Sequence, residues 1–249
     1  MKFIIANDDG VEAVGIKTIA NALKRAGHDV TVVAPFANRS GFSHSLSVRK
    51  NMGFKNGLSG YAEGVKVYSL DGTPADCVKF AVHHFGKDSF DVVLSGINNG
   101  ANLSYDTMYS GTVGAAMEGG IQGMTSVALS VGLADKATHF QTAAEVFIGV
   151  LPHILEHDRS NVVWNVNVPD VSEEEIKGIR FTRLGRINYD ETYTAVDMEK
   201  EGGYILKGRL KEEQISDLFT DVGAFFAGYV SITPLAVDRT NHAALEELE

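Results

Sequence analysis

The chain has 249 residues, and its 32 acidic and 22 basic side chains give a formal net charge of −10. This surplus of negative charge argues against binding of long nucleic acid by phosphate neutralisation, although a local pocket could still take a small anion. Its one cysteine, Cys77, excludes an intramolecular disulfide and a thiolate zinc cluster, and no apolar run reaches the roughly 18 residues of a membrane span. We therefore expect a cytoplasmic protein with no membrane partner.

The chain opens with a short apolar run, residues 3–6, that stops at Asn7-Asp8-Asp9-Gly10. A β-rich run that ends in turn formers predicts a central strand, with Asp8 and Asp9 at its carboxyl edge, where open α/β sheets bind ligands. Adjacent carboxylates repel each other and lose hydration in a crevice, so a cation would stabilise them, and their oxygens suit hard divalent ions. The alternative is that one aspartate caps the next helix while the other is solvated.

Strands and helices then alternate along the chain. Apolar residues recur with helical spacing from Ile16 to Leu23, and residues 30–34 form the next β-branched run, which together predict a βαβ unit. Further strands are predicted at 91–95, 126–131 and 162–168, and further helices begin at Thr73, Ser110 and Phe140. The 44% hydrophobic content supports one large core. This sustained alternation is typical of an α/β fold with a doubly wound, mostly parallel sheet.

The segment between the second strand and the helix at Thr73 predicts a hairpin-like excursion. Its two alternating stretches are residues 46–48 and 65–70. Thr73, Pro74 and Asp76 then have the spacing of a capping box with proline in the first turn. Cys77 lies on the apolar face of this helix, which favours a small buried side chain over a nucleophile.

Polar loops follow several of these strands at the same predicted edge. They are residues 38–45, residues 96–102, which include Asn98 and Asn99, and the helix start at residues 110–112. Any one asparagine could simply serve a turn, because asparagine tolerates left-handed dihedrals. Together with Asp8 and Asp9, however, these loops offer hard oxygen ligands beside a helix N-terminus that could bind phosphate. The combination points to metal-assisted phosphoester hydrolysis.

The pattern changes beyond Pro169. An acidic run at 173–175 is followed by scattered strand-like pieces and a charged stretch at 207–213. Residues 229–235 then predict a late strand that either returns to the main body or reaches a partner subunit. We divide the chain into a catalytic core, residues 1–170, and a C-terminal arm with a return strand, residues 171–249, used in oligomerisation rather than folded as an independent domain.

Several motifs in order resemble the SurE family of survival-protein nucleotidases. They are Asn7-Asp8-Asp9-Gly10 and residues 38–41, 72–77, 95–98, 109–112, 115–119 and 228–235. The resemblance implies a Rossmann-like, three-layer α/β/α core with an extended C-terminal arm that takes part in a homodimer or homotetramer. The chain departs from the family pattern within residues 186–213, where Gly203-Tyr204-Ile205-Leu206 replaces the usual aromatic Tyr-Trp element.

The resemblance also implies an activity and a metal site. The expected reaction is hydrolysis of nucleoside monophosphates to nucleoside and phosphate by a 5′-nucleotidase that uses metal-activated water, with 3′-nucleotides and short polyphosphate as further candidate substrates. The expected cofactor is one divalent ion per subunit, Mg²⁺ or Mn²⁺, held by residues that match Asp8, Asp9, Ser40 and Asn98. Asp8 and Asp9 are also the predicted catalytic residues, with Asp9 orienting the attacking water.

Four further residues are predicted to bind the phosphate group: Asn99, Ser110, Gly111 and Thr112. His44 is the one nearby base that could activate Ser40 as a nucleophile, but a solvated position in its loop is the favoured interpretation. The alternative to an enzyme is a non-catalytic regulatory protein that binds metal and nucleotide, since binding and turnover can share the same residues.

Overall fold

A computed structural model of the chain describes residues 1–132, 137–159, 161–187, 189–196, 202–210 and 217–248. Within these residues the strands are β1 Lys2–Ala6, β2 Asp29–Pro35, β3 Phe54–Asn56, β4 Lys66–Leu70, β5 Val92–Asn99, β6 Thr125–Val131, β7 Val162–Val168, β8 Ile179–Phe181, β9 Tyr189–Val196, β10 Gly203–Leu210 and β11 Val230–Ala236. The helices are α1 Val14–Arg25, α2 Pro74–Phe85, α3 Gly111–Ile121, α4 Phe140–His157, α5 Asp221–Phe226 and α6 His242–Glu246. None of these helices is long and apolar enough to cross a membrane.

In this part of the chain nine strands form one sheet in the order β3-β4-β2-β1-β5-β6-β7-β11-β8. The strands from β4 to β7 in that order run parallel, whereas β3 and β11 pair antiparallel with their neighbours β4 and β7. The chain goes from β1 to β2 on one side and returns to β5 on the other. The carboxyl ends of β1 and β5 therefore form the switch point at which such sheets bind ligands.

Helices cover both faces of the sheet. Helices α1 and α4 pack together on one face over a core that includes Phe3, Leu94 and Phe147. Helices α2 and α3 pack on the other face over Ile4, Cys77 and further buried side chains. The predicted doubly wound α/β fold is thus confirmed, and Cys77 is a fully buried core residue as predicted.

The prediction for residues 46–48 was wrong. Residues 46 and 47 have no regular secondary structure and Val48 lies in a turn, while the strand that pairs antiparallel with β4 is β3. The cause is tertiary: the Ser47 amide donates to the carboxylate of Asp76 at 3.0 and 3.2 Å, so this segment is held at the start of α2 instead of beside a strand. Val48, whose apolar character suggested a strand, is 77% exposed.

The predicted capping box of α2 is confirmed. The Thr73 hydroxyl accepts from the Asp76 amide at 3.1 Å, and the Asp76 carboxylate accepts from the Thr73 amide at 2.8 Å, with Pro74 in the first turn.

The third parallel strand was predicted to end at Ser95, and this prediction was wrong. Strand β5 continues through Asn98 and Asn99, with a register shift after Gly96. Both asparagines therefore lie on a strand end instead of in a loop.

The C-terminal region contributes to the same sheet. The predicted late strand is β11, which lies between β7 and β8. Strands β9 and β10 form a separate antiparallel hairpin. Of the charged stretch 207–213, residues 207–210 belong to β10, and residues 211–213 lie outside the described residues. The division of the chain at residue 170 stays a prediction.

Candidate active site

The turn after β1 fixes the two adjacent aspartates. The buried side chain of Asn7 bridges the turn, because its amide nitrogen donates to the Gly10 carbonyl at 2.9 Å and its oxygen accepts from the Gly10 amide at 3.2 Å. Asp8, which is 3% exposed, points into the protein, whereas Asp9 is partly exposed. The two carboxylates therefore lie in different environments although they are neighbours in sequence.

Asp8 is bound by the first turn of α3. The Thr112 hydroxyl donates to Asp8 Oδ1 at 2.7 Å, and the Thr112 amide donates to Asp8 Oδ2 at 3.2 Å. The Ser110 hydroxyl caps the same helix by accepting from the Val113 amide at 3.1 Å. The sequence predicts a phosphate site at the α3 N-terminus, but the amide and the hydroxyl of Thr112 bind the carboxylate of Asp8, where the helix dipole also favours a negative charge.

The close approach of Asp8 to α3 requires glycine at position 111. A Cβ atom there would lie 2.9 Å from Asp8 Cβ and 3.1 Å from Asp8 Oδ2, which leaves no room for a side chain. Burial raises the pKa of Asp8, and the hydrogen bonds from Thr112 offset part of this effect. A divalent cation beside this carboxyl would favour its ionised form.

Asp9 connects three neighbouring segments. Its Oδ2 accepts from the main-chain amide of Asn99, at the end of β5, at 3.1 Å. Its Oδ1 lies 3.5 Å from the side-chain nitrogen of Asn38, in the loop after β2. The side-chain oxygen of Asn99 in turn accepts from the Ala137 amide at 2.9 Å. Asn99 therefore fixes Asp9 through its main chain, and within the described part of the chain its side-chain amide nitrogen donates no hydrogen bond, so it can serve a ligand.

Ser40 and Asn98 lie on the two segments that Asp9 connects. The Ser40 amide donates to the side-chain oxygen of Asn38 at 2.9 Å, and the Ser40 side chain is exposed. The side-chain nitrogen of Asn98 donates to the Gly100 carbonyl at 2.6 Å, so the side-chain oxygen of Asn98 is the atom that it offers to a cation. The structure thus brings both predicted ligands to the carboxyl edge of the sheet that carries the two aspartates.

A buried carboxylate anchors the loop that carries Ser40. Glu118 on α3 is 2% exposed, and its carboxylate binds His44 Nε2 at 3.1 Å, Lys79 Nζ at 2.8 Å and Gln122 Nε2 at 2.9 Å. Burial alone would raise the pKa of Glu118, but these hydrogen bonds outweigh it and lower the pKa to about 2. His44 is therefore paired with Glu118, contrary to the solvated position that we predicted.

Glu118 lies within the motif at residues 115–119, but its burial and its pairing are not predicted from the sequence. The available signal was a carboxylate within a helix, residues 111–121, whose other members are one threonine and otherwise glycine, alanine and apolar residues. Such a carboxylate rarely becomes buried without a charged partner, so its position could have suggested a buried ion pair. The pairing with His44 could not be predicted from the sequence, because His44 lies 74 residues from Glu118.

The oxygen atoms at this edge suit a hard divalent cation. Two carboxylates, a hydroxyl and an amide carbonyl match the ligand preference of Mg²⁺ and Mn²⁺, and the described residues of this edge contribute neither a thiolate nor an imidazole to the set. The donor set therefore fits the ion that the sequence predicted.

Known proteins match this chain over nearly all of its length. The family model described as survival protein SurE matches residues 3–191. The 5′-nucleotidase SurE of Synechococcus elongatus is 40% identical over 255 residues, with 100% of this chain and 98% of the relative covered. That of Clostridium botulinum strain Kyoto is 40% identical over 253 residues with the same coverage.

A solved structure of the same family is also similar to this chain. The crystal structure of SurE protein from Aquifex aeolicus is similar with a TM-score of 0.84 and 36% identity, covering 100% of this chain and 98% of that chain. The match includes the sheet, the helices and the C-terminal region. The chain belongs to the SurE family.

Proposed function

We propose that the chain is a metal-dependent 5′-nucleotidase that hydrolyses nucleoside monophosphates to nucleoside and phosphate. The observation that carries the proposal is the pair Asp8 and Asp9 at the switch point of the sheet, where one carboxylate is fixed by α3 and the other by β5. Relatives with 40% identity over their full length are named 5′-nucleotidase SurE, which supports the same reaction class.

The metal ligands that we propose are Asp8, Asp9, Ser40 and Asn98, which would hold one Mg²⁺ or Mn²⁺ per subunit. Such an ion supplies Lewis acidity toward the phosphoryl oxygens and lowers the pKa of a coordinated water. The contribution of the chain is to fix the ligands in advance: Thr112 immobilises Asp8, and Asn99 immobilises Asp9. Preorganisation of this kind reduces the cost of assembling the site when substrate binds.

The remaining roles follow from exposure and hydrogen-bonding capacity. Asp9 is the more exposed carboxylate, so we assign it to orient the attacking water and to hold its proton. We assign phosphate binding to the side-chain amide nitrogen of Asn99 and to the Ser110 hydroxyl, which can donate its hydrogen while it accepts from the Val113 amide. Gly111 and Thr112 act indirectly, through their contacts with Asp8.

Release of phosphate from a panel of nucleoside monophosphates tests this proposal. We expect exhaustive chelation to abolish the reaction and Mg²⁺ or Mn²⁺ to restore it. Asp8→Asn keeps the shape of the side chain but removes its charge, so turnover should fall roughly a hundredfold or more in a folded protein. The matched control is Asp29→Asn, because Asp29 is an exposed aspartate at the opposite, amino end of β2.

Three results would contradict the proposal. They are full activity after chelation, a wild-type rate in folded Asp8→Asn, and an equal loss in Asp29→Asn. A protein that binds nucleotide and metal but releases no phosphate from any member of the panel would support the regulatory alternative instead.

We further propose that the chain forms a homodimer or a larger homo-oligomer through the β9–β10 hairpin. Among the described residues this hairpin pairs only with itself, and isolated two-stranded hairpins are marginally stable in water. It exposes several large apolar side chains: Tyr193, Tyr204, Ile205 and Leu206. Burial of these side chains against a second copy would remove apolar surface from water.

Light scattering across a concentration series tests the assembly. We expect a mass of at least twice the 26.8 kDa of one chain, and a shift toward the single-chain mass in the double variant Ile205→Lys, Leu206→Lys. A single species of 26.8 kDa at every concentration of the unmodified protein would contradict the proposal.

A further inference from the structure

The last turns of α4 carry a cluster of side chains that the proposed reaction does not use. His153, Glu156 and His157 are exposed, and each offers one ligand atom, with all three atoms within 4.8 Å of one another. Residues three and four positions apart lie on the same face of a helix, so the spacing of the cluster is that of a chelating surface. We propose that this cluster is a second cation site, selective for a divalent transition ion such as Zn²⁺.

A hydrogen bond prepares His157 for metal binding. His157 Nδ1 lies 2.9 Å from the carbonyl oxygen of His153, and because a carbonyl can only accept, Nδ1 carries the hydrogen. In the neutral imidazole this leaves the lone pair on Nε2, which is the atom available to an ion. Metal-ligating histidines usually donate their other nitrogen to a carbonyl or carboxylate in this way.

Ring packing holds the second imidazole beside the first. The His153 ring lies 4.2 Å from the His157 ring and 5.0 Å from the ring of Phe181 on β8, measured between centroids. These contacts reduce the rotamer freedom that a metal would otherwise have to remove on binding. In tetrahedral zinc sites the ligand atoms lie roughly 3.4 Å apart, so the observed spread within 4.8 Å needs only small rotations of exposed side chains.

The ligand types distinguish this cluster from the site at Asp8. Imidazole nitrogen is a ligand for Zn²⁺, Ni²⁺, Co²⁺ and Cu²⁺, whereas Mg²⁺ and Ca²⁺ prefer oxygen. Two imidazoles and one carboxylate supply three positions, and solvent would supply the rest because the cluster is exposed. The protein would therefore take two classes of divalent cation at two separate places.

The two places lie at opposite edges of the sheet. Helix α4 connects the carboxyl end of β6 to the amino end of β7, so its C-terminal turns lie at the amino edge, away from Asp8 and Asp9. From Phe140 to His153 the helix rises about 20 Å at roughly 1.5 Å per residue. An ion at the cluster therefore has no contact with the proposed active site, and its binding can be measured separately.

The test is calorimetric titration of tag-free, full-length protein with ZnCl₂, followed by Co²⁺ absorption spectra that report nitrogen ligands. All variants carry Asp8→Asn, so that the first site is weakened equally throughout. We expect one Zn²⁺ per chain, a loss of roughly tenfold or more in affinity in His153→Ala and in His157→Ala, and a smaller loss in Glu156→Gln. The matched control is His83→Ala, because His83 is an exposed histidine on α2, outside the cluster.

Folding and activity serve as separate readouts. Because His153 also packs on Phe181, the melting temperature of each variant in chelator is its own baseline. In the presence of Zn²⁺ only proteins with an intact cluster should gain thermal stability over that baseline. In the Asp8 wild-type background, His153→Ala should leave phosphate release with Mg²⁺ unchanged. Zn²⁺ titrations that are identical for the intact cluster and for the double variant His153→Ala, His157→Ala would overturn the proposal.

Discussion

Glu118 offers the sharpest test of how the Ser40 loop is held. The change Glu118→Gln keeps the size of the side chain and removes its charge, so the contact with Lys79 loses its ionic component. The pKa of Glu118 is lowered to about 2 from an ordinary value of 4.5. This difference corresponds to about 3 kcal/mol of folding free energy at neutral pH.

The sign of the pH effect follows from the direction of the shift. A lowered pKa means that the native protein holds the ionised carboxylate more strongly than the unfolded chain does. The stabilisation is therefore complete above pH 4.5 and decreases as the pH falls toward 2, with more than half of it lost by about pH 3. Glu118→Gln has no such group, so its stability should be lower at neutral pH and closer to wild type in acid.

Urea unfolding at pH 7, 5, 4 and 3, in the presence of chelator, measures this difference. We expect the gap in unfolding free energy between wild type and Glu118→Gln to shrink from about 3 kcal/mol at pH 7 to about half of that or less at pH 3. Exposed Glu63 provides the control, because Glu63→Gln should follow the wild-type curve. A gap that stays constant across the series would refute the role assigned to the buried carboxylate.

Two further predictions concern the same loop. Gly114→Ala places a Cβ atom 2.5 Å from the Ser43 carbonyl oxygen and should displace the loop, so phosphate release should fall roughly tenfold or more in a folded protein. The control is Gly149→Ala, where a Cβ atom has nothing within 4 Å, so this variant should keep its activity and be neutral or stabilised by up to about 1 kcal/mol. Equal activities in both variants would contradict the requirement for glycine at position 114. Among the described residues no hydrogen bond joins His44 to Ser40, and the His44 contact that the structure shows is Nε2 with Glu118. We therefore expect direct transfer to water with inversion at phosphorus, which a trapped phosphoenzyme or retention of configuration would disprove.

The parts of the fold that could be predicted are those set by local pattern. The run that ends at Asp8 and Asp9 predicted β1 and its carboxyl edge, because a β-branched segment closed by turn formers has few other structures available. The capping box at Thr73 was likewise local, since its two hydrogen bonds join residues three positions apart. Such signals depend little on the rest of the chain.

The errors arose where contacts join distant residues. The sequence indicates an anion site at the start of α3 but cannot show that Asp8 occupies it, because Asp8 and Thr112 are 104 residues apart. In the same way, residues 46–48 have a strand-like pattern, yet Ser47 is fixed by Asp76 on α2. In both cases a carboxylate satisfies backbone amides that local pattern treats as free.

These long-range contacts place the two adjacent aspartates in different environments. Asp8 is buried and accepts hydrogen bonds from both the hydroxyl and the amide of Thr112, so its position is fixed, which suits the ligand role that we propose for it. Asp9 is partly exposed and is held through the Asn99 main-chain amide, which suits the role that we propose for it, contact with both the ion and the attacking water. Two carboxylates in unlike environments can divide structural and chemical roles at one site. An Asp9→Asn variant should therefore bind the ion more weakly but lose more in turnover than in affinity, whereas Asp8→Asn should lose both together.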